Sequence, residues 1–196
     1  MTIHIIGDSH SENGWNSNVI NHSFQNMLCY AFGINRIRTV NIKNFNINDG
    51  DSIIFCFGEL DCRSYIKNNV NELITYQQII NDIIINYFNY ISFSINYSGV
   101  NFKKICVFNV VPPVEQDNTI EDIYFPFLGT DEERKSYVLY FNTKLKEYCE
   151  LNNYIFFDVY DKYTDENGFL KKDLSDGRVH IKNGIYIDEF ITNNDI

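Results

Sequence analysis

The sequence predicts an α/β protein, a three-layer α/β/α sandwich on a mostly parallel five-stranded sheet. Three observations carry that prediction. Short apolar runs of strand length recur at 3–6, 37–42, 52–57, 103–111 and 154–159. Stretches with apolar residues at helical spacing lie between most of them. Two runs, Ser52-Ile53-Ile54-Phe55-Cys56-Phe57 and Lys103 to Val111, are nearly unbroken, as suits strands buried on both faces of a parallel sheet. The order strand, helix, strand, strand, helix, strand, helix, strand places helices on both faces. At 196 residues the chain fits one domain, 1–196, with a full core.

The first run, Ile3-His4-Ile5-Ile6, enters a polar turn, Gly7-Asp8-Ser9-His10. Gly7 reads as a residue chosen for backbone freedom. Asp8 and Ser9 are turn and helix-cap types. A serine at the carboxyl end of a first strand also lies where such sheets hold ligands. The plainer reading is that Asp8 or Ser9 caps the next helix. Val19, Ile20, Phe24, Met27, Leu28 and Ala31 then suggest a helix over 19–32, with His22 on its surface and Gly33 as its stop. Alternating apolar residues over 37–42 suggest the second strand. Asn48-Asp49-Gly50-Asp51 is a turn. The third strand, 52–57, ends in Gly58-Glu59-Leu60-Asp61-Cys62-Arg63, three charges at the ligand edge of the sheet. These are either functional groups or a solvated loop with Asp61 as a cap. Glu59 and Asp61 are both available to pair with Arg63.

A long helix is expected over 70–97, ended by Ser98-Gly99. The strand over 103–111 is stopped by Pro112-Pro113. The irregular stretch 114–129 is long enough to form a pocket wall. Thr130-Asp131-Glu132-Glu133 starts a helix that runs to about Leu151, with Glu133 at the capping-box position. The run 154–159 is the last strand.

Net charge is −10 and pI near 4.7, which argues against a nucleic-acid backbone as partner and favours a neutral or cationic substrate. Cys29, Cys56, Cys62, Cys106 and Cys149 are odd in number and form no C-x-x-C, so reduced, buried thiols in a cytosolic protein are expected. Met1-Thr2 lead straight into the first strand, with no signal peptide read. The most apolar stretch, 79–95, is broken by Asn81, Asp82, Asn86 and Asn89 and is too polar to span a membrane. No residue cluster has metal-ligand spacing and no glycine loop would cradle a phosphate, so no metal or other cofactor is expected.

Near the far end lies Asp176-Gly177-Arg178-Val179-His180. Together with Gly7-Asp8-Ser9 and the block Phe57 to Arg63, this makes the chain resemble SGNH/GDSL-type hydrolases, in particular a branch with Gly-Glu-(Ile/Leu)-Asp-Cys-Arg. The double proline, the Phe-Pro…Gly-Thr-Asp-Glu-Glu-Arg stretch and the Asp-Gly-x-Val-His end extend the likeness over nearly the whole chain. The resemblance implies a serine esterase acting on an acylated carbohydrate or small ester, with Ser9 as nucleophile, His180 as base and Asp176 behind it. The base takes the hydroxyl proton, and the carboxylate fixes the base's tautomer. Donors for the substrate oxygen are expected from the backbone N–H of Ser9 and Gly58. Asp8, His10, Glu59, Asp61 and Arg63 are the further substrate-side candidates.

Three departures stand out. The family spaces its acid three residues before the histidine, where this chain has Gly177; Asp176 is four before, and Asp173 is the alternative. The family's oxyanion asparagine falls at Leu60, which cannot donate. Its glycine after the second strand has no counterpart over 42–49, where Asn44, Asn46 and Asn48 are the available donors. Three outcomes stay open: an esterase, an acyltransferase that uses a sugar hydroxyl in place of water, and a silent glycan-binding module. A cysteine enzyme using Cys62 is a further reading.

Overall fold

The computed structural model describes residues 2–15, 18–38, 40–119 and 123–196. Five parallel strands form one sheet: β1 (Ile3–Gly7), β2 (Val19–Ser23), β3 (Ser52–Cys56), β4 (Ile105–Phe108) and β5 (Ile155–Phe157), in the order β2-β1-β3-β4-β5. The helices are α1 (Cys29–Asn35), α2 (Ile66–Asn69), α3 (Tyr76–Ser98), α4 (Asp131–Asn152), α5 (Tyr160–Tyr163) and α6 (Ile185–Asn193).

Side-chain alternation along the strands sorts the core into two layers. Ile6, Ile53, Phe55 and Val107 face α1, α3 and α4, meeting Phe32, Ile84, Tyr87 and Phe141. Ile5, Ile54, Cys56, Cys106 and Phe108 face the other way and meet Ile187 and Ile191 of α6. Each such side chain contributes about 1.5–3 kcal/mol by leaving water. The expected three-layer architecture and the buried central strands are therefore present.

The second strand is not where its apolar alternation placed it. Residues 19–23 form β2, paired in parallel with β1 from Ile3↔Val19 to Gly7↔Ser23. The helix expected over 19–32 is instead a strand, a turn and the short α1. β2 is an edge strand with exposed or half-exposed side chains, so its sequence carries no buried-strand signature. His22 accordingly sits in a strand, stacked on Phe45 at 3.9 Å, and bonds His4 Nδ1 at 3.0 Å. Residues expected to form a strand at 37–42 include two 3₁₀ turns, Arg36–Arg38 and Ile42–Asn44. Val40 and Ile42 are buried under α3, and the Tyr90 hydroxyl donates to the Val40 carbonyl.

Helix starts follow their caps. α4 begins at the Thr130–Glu133 capping box that the sequence announces. α3 begins six residues later than the apolar pattern suggests, at a second capping box, Thr75–Gln78. Ahead of it Asn71 holds a turn, its Oδ1 accepting from Leu73 and Ile74 N–H. Gly99 ends α3 at φ 74°.

Gly7 is not at a positive φ; it is required for another reason. A Cβ there would lie 2.3 Å from the Cys56 carbonyl oxygen of β3 and 2.9 Å from Ser11 Cβ. A glycine lets β1 and β3 close together just where the chain leaves the sheet. The strand order reverses direction between β1 and β3, the position at which parallel sheets open a crevice beyond their carboxyl ends.

Candidate active site

Asp8 and Ser9 leave β1 and enter a single 3₁₀ turn, Ser9–Ser11. Asp8 caps that turn, its Oδ1 accepting from His10 N–H at 2.9 Å. The serine is thereby lifted onto the carboxyl edge of the sheet. Ser9 Oγ lies 2.9 Å from His180 Nε2. His180 Nδ1 lies 2.9 Å from Asp176 Oδ2. The structure thus brings together residues 171 positions apart.

The unusual four-residue spacing of acid and histidine has a geometric explanation. Gly177, at φ 84°, turns the chain. Asp176 Oδ1 then accepts from Arg178 N–H at 2.8 Å and His180 N–H at 3.2 Å, while Asp176 N–H donates to the His180 carbonyl at 3.0 Å. The loop is closed on itself, and Oδ2 is left to the imidazole. Asp173 is exposed in the 3₁₀ turn Lys172–Leu174 and is not part of this arrangement.

The electrostatics suit a neutral imidazole. Burial lowers the His180 pKa below the ordinary 6.5, helped by the charge of His10 and opposed by Asp176 and Glu59. Burial works to raise the Asp176 pKa, but the His180 ring and the two backbone donors outweigh it and hold the carboxylate below its usual range. An ionised Asp176 accepts from Nδ1–H. Nε2 then carries the lone pair and faces the Ser9 hydroxyl.

Ser9 and His180 open on a cavity of ≈ 270 Å³ that is also lined by Gln25, Asn26, Leu60, Arg63, Phe125, Phe127, Arg178 and Val179. Gln25 and Asn26 escaped the sequence reading, because they follow β2 and β2 had been placed elsewhere. Asn26 adopts φ 65°, a conformation that favours glycine, in the turn after β2. Asn48, one of the donors expected instead, uses its N–H on Asp51 and lines none of this cavity. Leu60 lines the cavity as expected and offers no hydrogen-bond donor.

The other candidates are placed differently. Arg63 lines the cavity, yet its Nε and Nη2 bind Glu59 at 2.7 and 3.2 Å and its Nη1 donates to the Phe125 carbonyl. Leu128 N–H to the Arg63 carbonyl and Ser64 Oγ to the Pro126 carbonyl complete the seam. Arg63 therefore fastens the 125–128 wall in place. Burial would raise the Glu59 pKa, but Arg63 and His10 hold its carboxylate below the usual range. Asp61 does not pair with Arg63 and does not reach the cavity. It is fully buried and accepts from the Cys29 and Tyr30 N–H at 2.6 and 3.0 Å, holding the start of α1. Burial pushes its pKa up to about 7.

Asp8, His10 and Glu59 surround a separate inner space of ≈ 10 Å³ behind the serine, together with Asn109. Gly58, at φ 123°, packs against Val110 and Phe141 and is not among the residues lining the main cavity. All five cysteines are free and buried. Burial drives the Cys62 thiol well up, away from the reactive thiolate that a cysteine enzyme using Cys62 requires. No His/Cys/Asp/Glu cluster among the described residues could hold a metal ion, and no helix among them is long and apolar enough to cross a membrane.

No family model and no curated protein matches this sequence. Solved structures do. A GDSL-like lipase from Bacteroides thetaiotaomicron VPI-5482 superposes with TM-score 0.65 at 14% identity, covering 99% of this chain and 86% of that one. A catalytic mutant of an acetylxylan esterase from Geobacillus stearothermophilus gives 0.61 at 11% identity, covering 98% and 92%. The lipase/acylhydrolase from Enterococcus faecalis gives 0.53 at 13% identity, covering 99% and 95%. The chain is similar to these proteins in fold over nearly its whole length.

Proposed function

We propose that this chain, which has the fold of the SGNH/GDSL hydrolases, is a serine esterase that removes an acyl group, acetyl foremost, from a carbohydrate or small ester. The observation that carries the reading is the continuous relay Ser9 Oγ, His180, Asp176, with both contacts at 2.9 Å. Ser9 Oγ attacks the ester carbonyl carbon while its proton passes to His180 Nε2. Asp176 steadies the imidazolium so formed. The tetrahedral intermediate collapses, the C–O bond to the alcohol breaks, and His180 returns the proton to the leaving alkoxide. Water then attacks the acyl-Ser9 ester by the same route, and His180 again takes and returns one proton. The carbonyl oxygen turns negative in each half-reaction and needs donors. Ser9 N–H and the turn at Asn26 are our choice; Leu60 leaves out the side-chain donor that the related family places there.

A sugar-like alcohol suits a cavity whose lining combines polar residues, Gln25 and Asn26, with the aromatic Phe125 and Phe127. If a sugar hydroxyl reaches the acyl-Ser9 before water, the same steps make an acyltransferase. The missing donor at Leu60 favours one further reading, a glycan-binding module that has given up turnover, since one oxyanion donor is worth about 100- to 1000-fold in kcat. Free, buried thiols suit a reducing compartment. Release of acetate from 4-nitrophenyl acetate and from acetylated sugars, with Ser9→Ala as control and with acceptor sugar added, separates the three. Ser9-dependent acetate release supports the esterase, and acetyl appearing on the acceptor supports the transferase. Well-folded protein that binds acetylated glycan without turnover overturns both.

A further inference from the structure

We propose that His10 is a standing imidazolium that clamps the His180 loop and keeps His180 in its basic form, a role that rests on the reading of Ser9 and His180 above. The geometry is carried by what the two His10 ring nitrogens face. Nδ1 lies 3.0 Å from Asp8 Oδ1, and Nε2 lies 3.2 Å from the Val179 carbonyl oxygen. A carbonyl accepts only, and so does an ionised carboxylate. Either neutral tautomer would press a lone pair against an oxygen in a site that is 5% exposed. The doubly protonated ring satisfies both contacts.

The surroundings can carry that charge. Burial acts against it, but Asp8, Glu59 and the Val179 carbonyl outweigh burial and raise the His10 pKa. Asp8 is itself buried, with Oδ1 shared between the His10 ring and the His10 N–H. The charged groups acting on His10 are Asp8 and Glu59, the latter shared with Arg63; those acting on His180 are Asp176, His10 and Glu59.

Two consequences follow for the reaction. Val179 directly precedes His180, so the Nε2 bond ties the carboxyl-terminal loop to the turn that carries Ser9. Base and nucleophile are thereby held in register by a second contact besides their own. The ring centroids of His10 and His180 are 4.7 Å apart, with planes inclined at 50°. A fixed cation at that distance opposes protonation of His180. Two adjacent histidines are pushed in opposite directions, which separates the proton carrier from the strut. His10 is not among the residues lining the cavity and acts through His180 and its loop; it is a positioning residue.

Two measurements test this. The chain has four histidines, so long-range ¹H–¹⁵N spectra of the whole protein resolve the ring protonation of each. At pH 7 His10 is expected to carry protons on both nitrogens and His180 on Nδ1 alone. A His10 ring with one unprotonated nitrogen at pH 7 overturns the proposal. The second is the pH dependence of kcat/KM on 4-nitrophenyl acetate for wild type, His10→Asn and His10→Gln. Removing the cation is expected to move the acid limb to higher pH by roughly one unit or more. An unmoved limb in folded variants overturns the proposal. If wild type turns over no ester, the functional reading fails separately, and the spectra still decide the charge on His10. The spectra of wild type also decide it if neither variant folds.

Discussion

Removing the Asp176 carboxylate while keeping its shape should cost most of the rate. Asp176→Asn offers His180 Nδ1 an amide and favours the wrong tautomer, so kcat on a simple ester should fall about 10⁴-fold with Tm little changed. Loss of less than tenfold would remove Asp176 from the relay. The pH profile follows from the His180 shift. Its pKa lies below 6.5 in the folded protein. The active, neutral form therefore persists below that pH, and kcat/KM should be flat near pH 7 and fall on a limb centred under 6.5. A limb centred above 7 contradicts this. The Glu59–Arg63 pair is buried, so Glu59→Gln strands a cation and should cost about 3–5 kcal/mol in denaturant unfolding. At this scale Ser9 was legible because its residue type and its place after a strand end agree, whereas Asp176 and His180 were legible only through the family resemblance of the Asp-Gly-x-Val-His end. Asn26 was not, since nothing in Phe24-Gln25-Asn26-Met27 marks the end of an edge strand. The inward aim of Asp8, Glu59 and Asp61 was also hidden, because a charged loop reads the same whether its carboxylates face a ligand or cap a backbone.

Elements position these residues, and two of their joints are testable. Gly7 lies against the Cys56 carbonyl, and a methyl group at 2.3 Å must push β1 from β3. Gly7→Ala is therefore expected to lose Ser9 reactivity and to destabilise by more than about 2 kcal/mol, beyond the cost of an ordinary surface change. Full activity and native Tm would show that the close approach is dispensable. Asp61 ties the β3 loop to α1. Its folded pKa, about 7, is above the ordinary carboxylate value. The folded state thus binds the Asp61 proton more tightly than the unfolded state does. The stability this lends is present at acidic pH and is lost as pH rises through about 7. The Tm difference between wild type and Asp61→Asn should accordingly favour wild type most below about pH 4, shrink as pH rises to about 7 and level off above it; the reverse trend would refute the assignment. The capped helices and central strands were readable because local signals and tertiary burial coincide. β2 was not, because its pairing with β1 is a long-range choice that outweighs a weak helical pattern.

The whole molecule is acidic, yet the described residues lining the cavity include two arginines and no acid. Arg63 is paired with Glu59, which leaves Arg178, an exposed residue, as the second cation among the described residues lining the cavity. The overall charge suggested a neutral or cationic substrate; the local lining points to a neutral or anionic one. Arg178→Glu should lower kcat/KM for an acetyl ester bearing a carboxylate at least tenfold more than for its neutral methyl ester, and low salt should widen the gap. Equal losses on the two esters would refute a charge-reading role. Fold class was legible at this scale because it needs only the order of elements, whereas the sign of charge inside a cavity depends on which side chains the fold turns inward. All of this depends on one hydroxyl being activated by an imidazole from the other end of the chain. The most direct measurement is the mass of the intact protein and its peptides after exposure to a fluorophosphonate. Phosphonylation on Ser9, abolished in folded His180→Asn, is the result expected; an unmodified Ser9 in folded wild-type protein would contradict it.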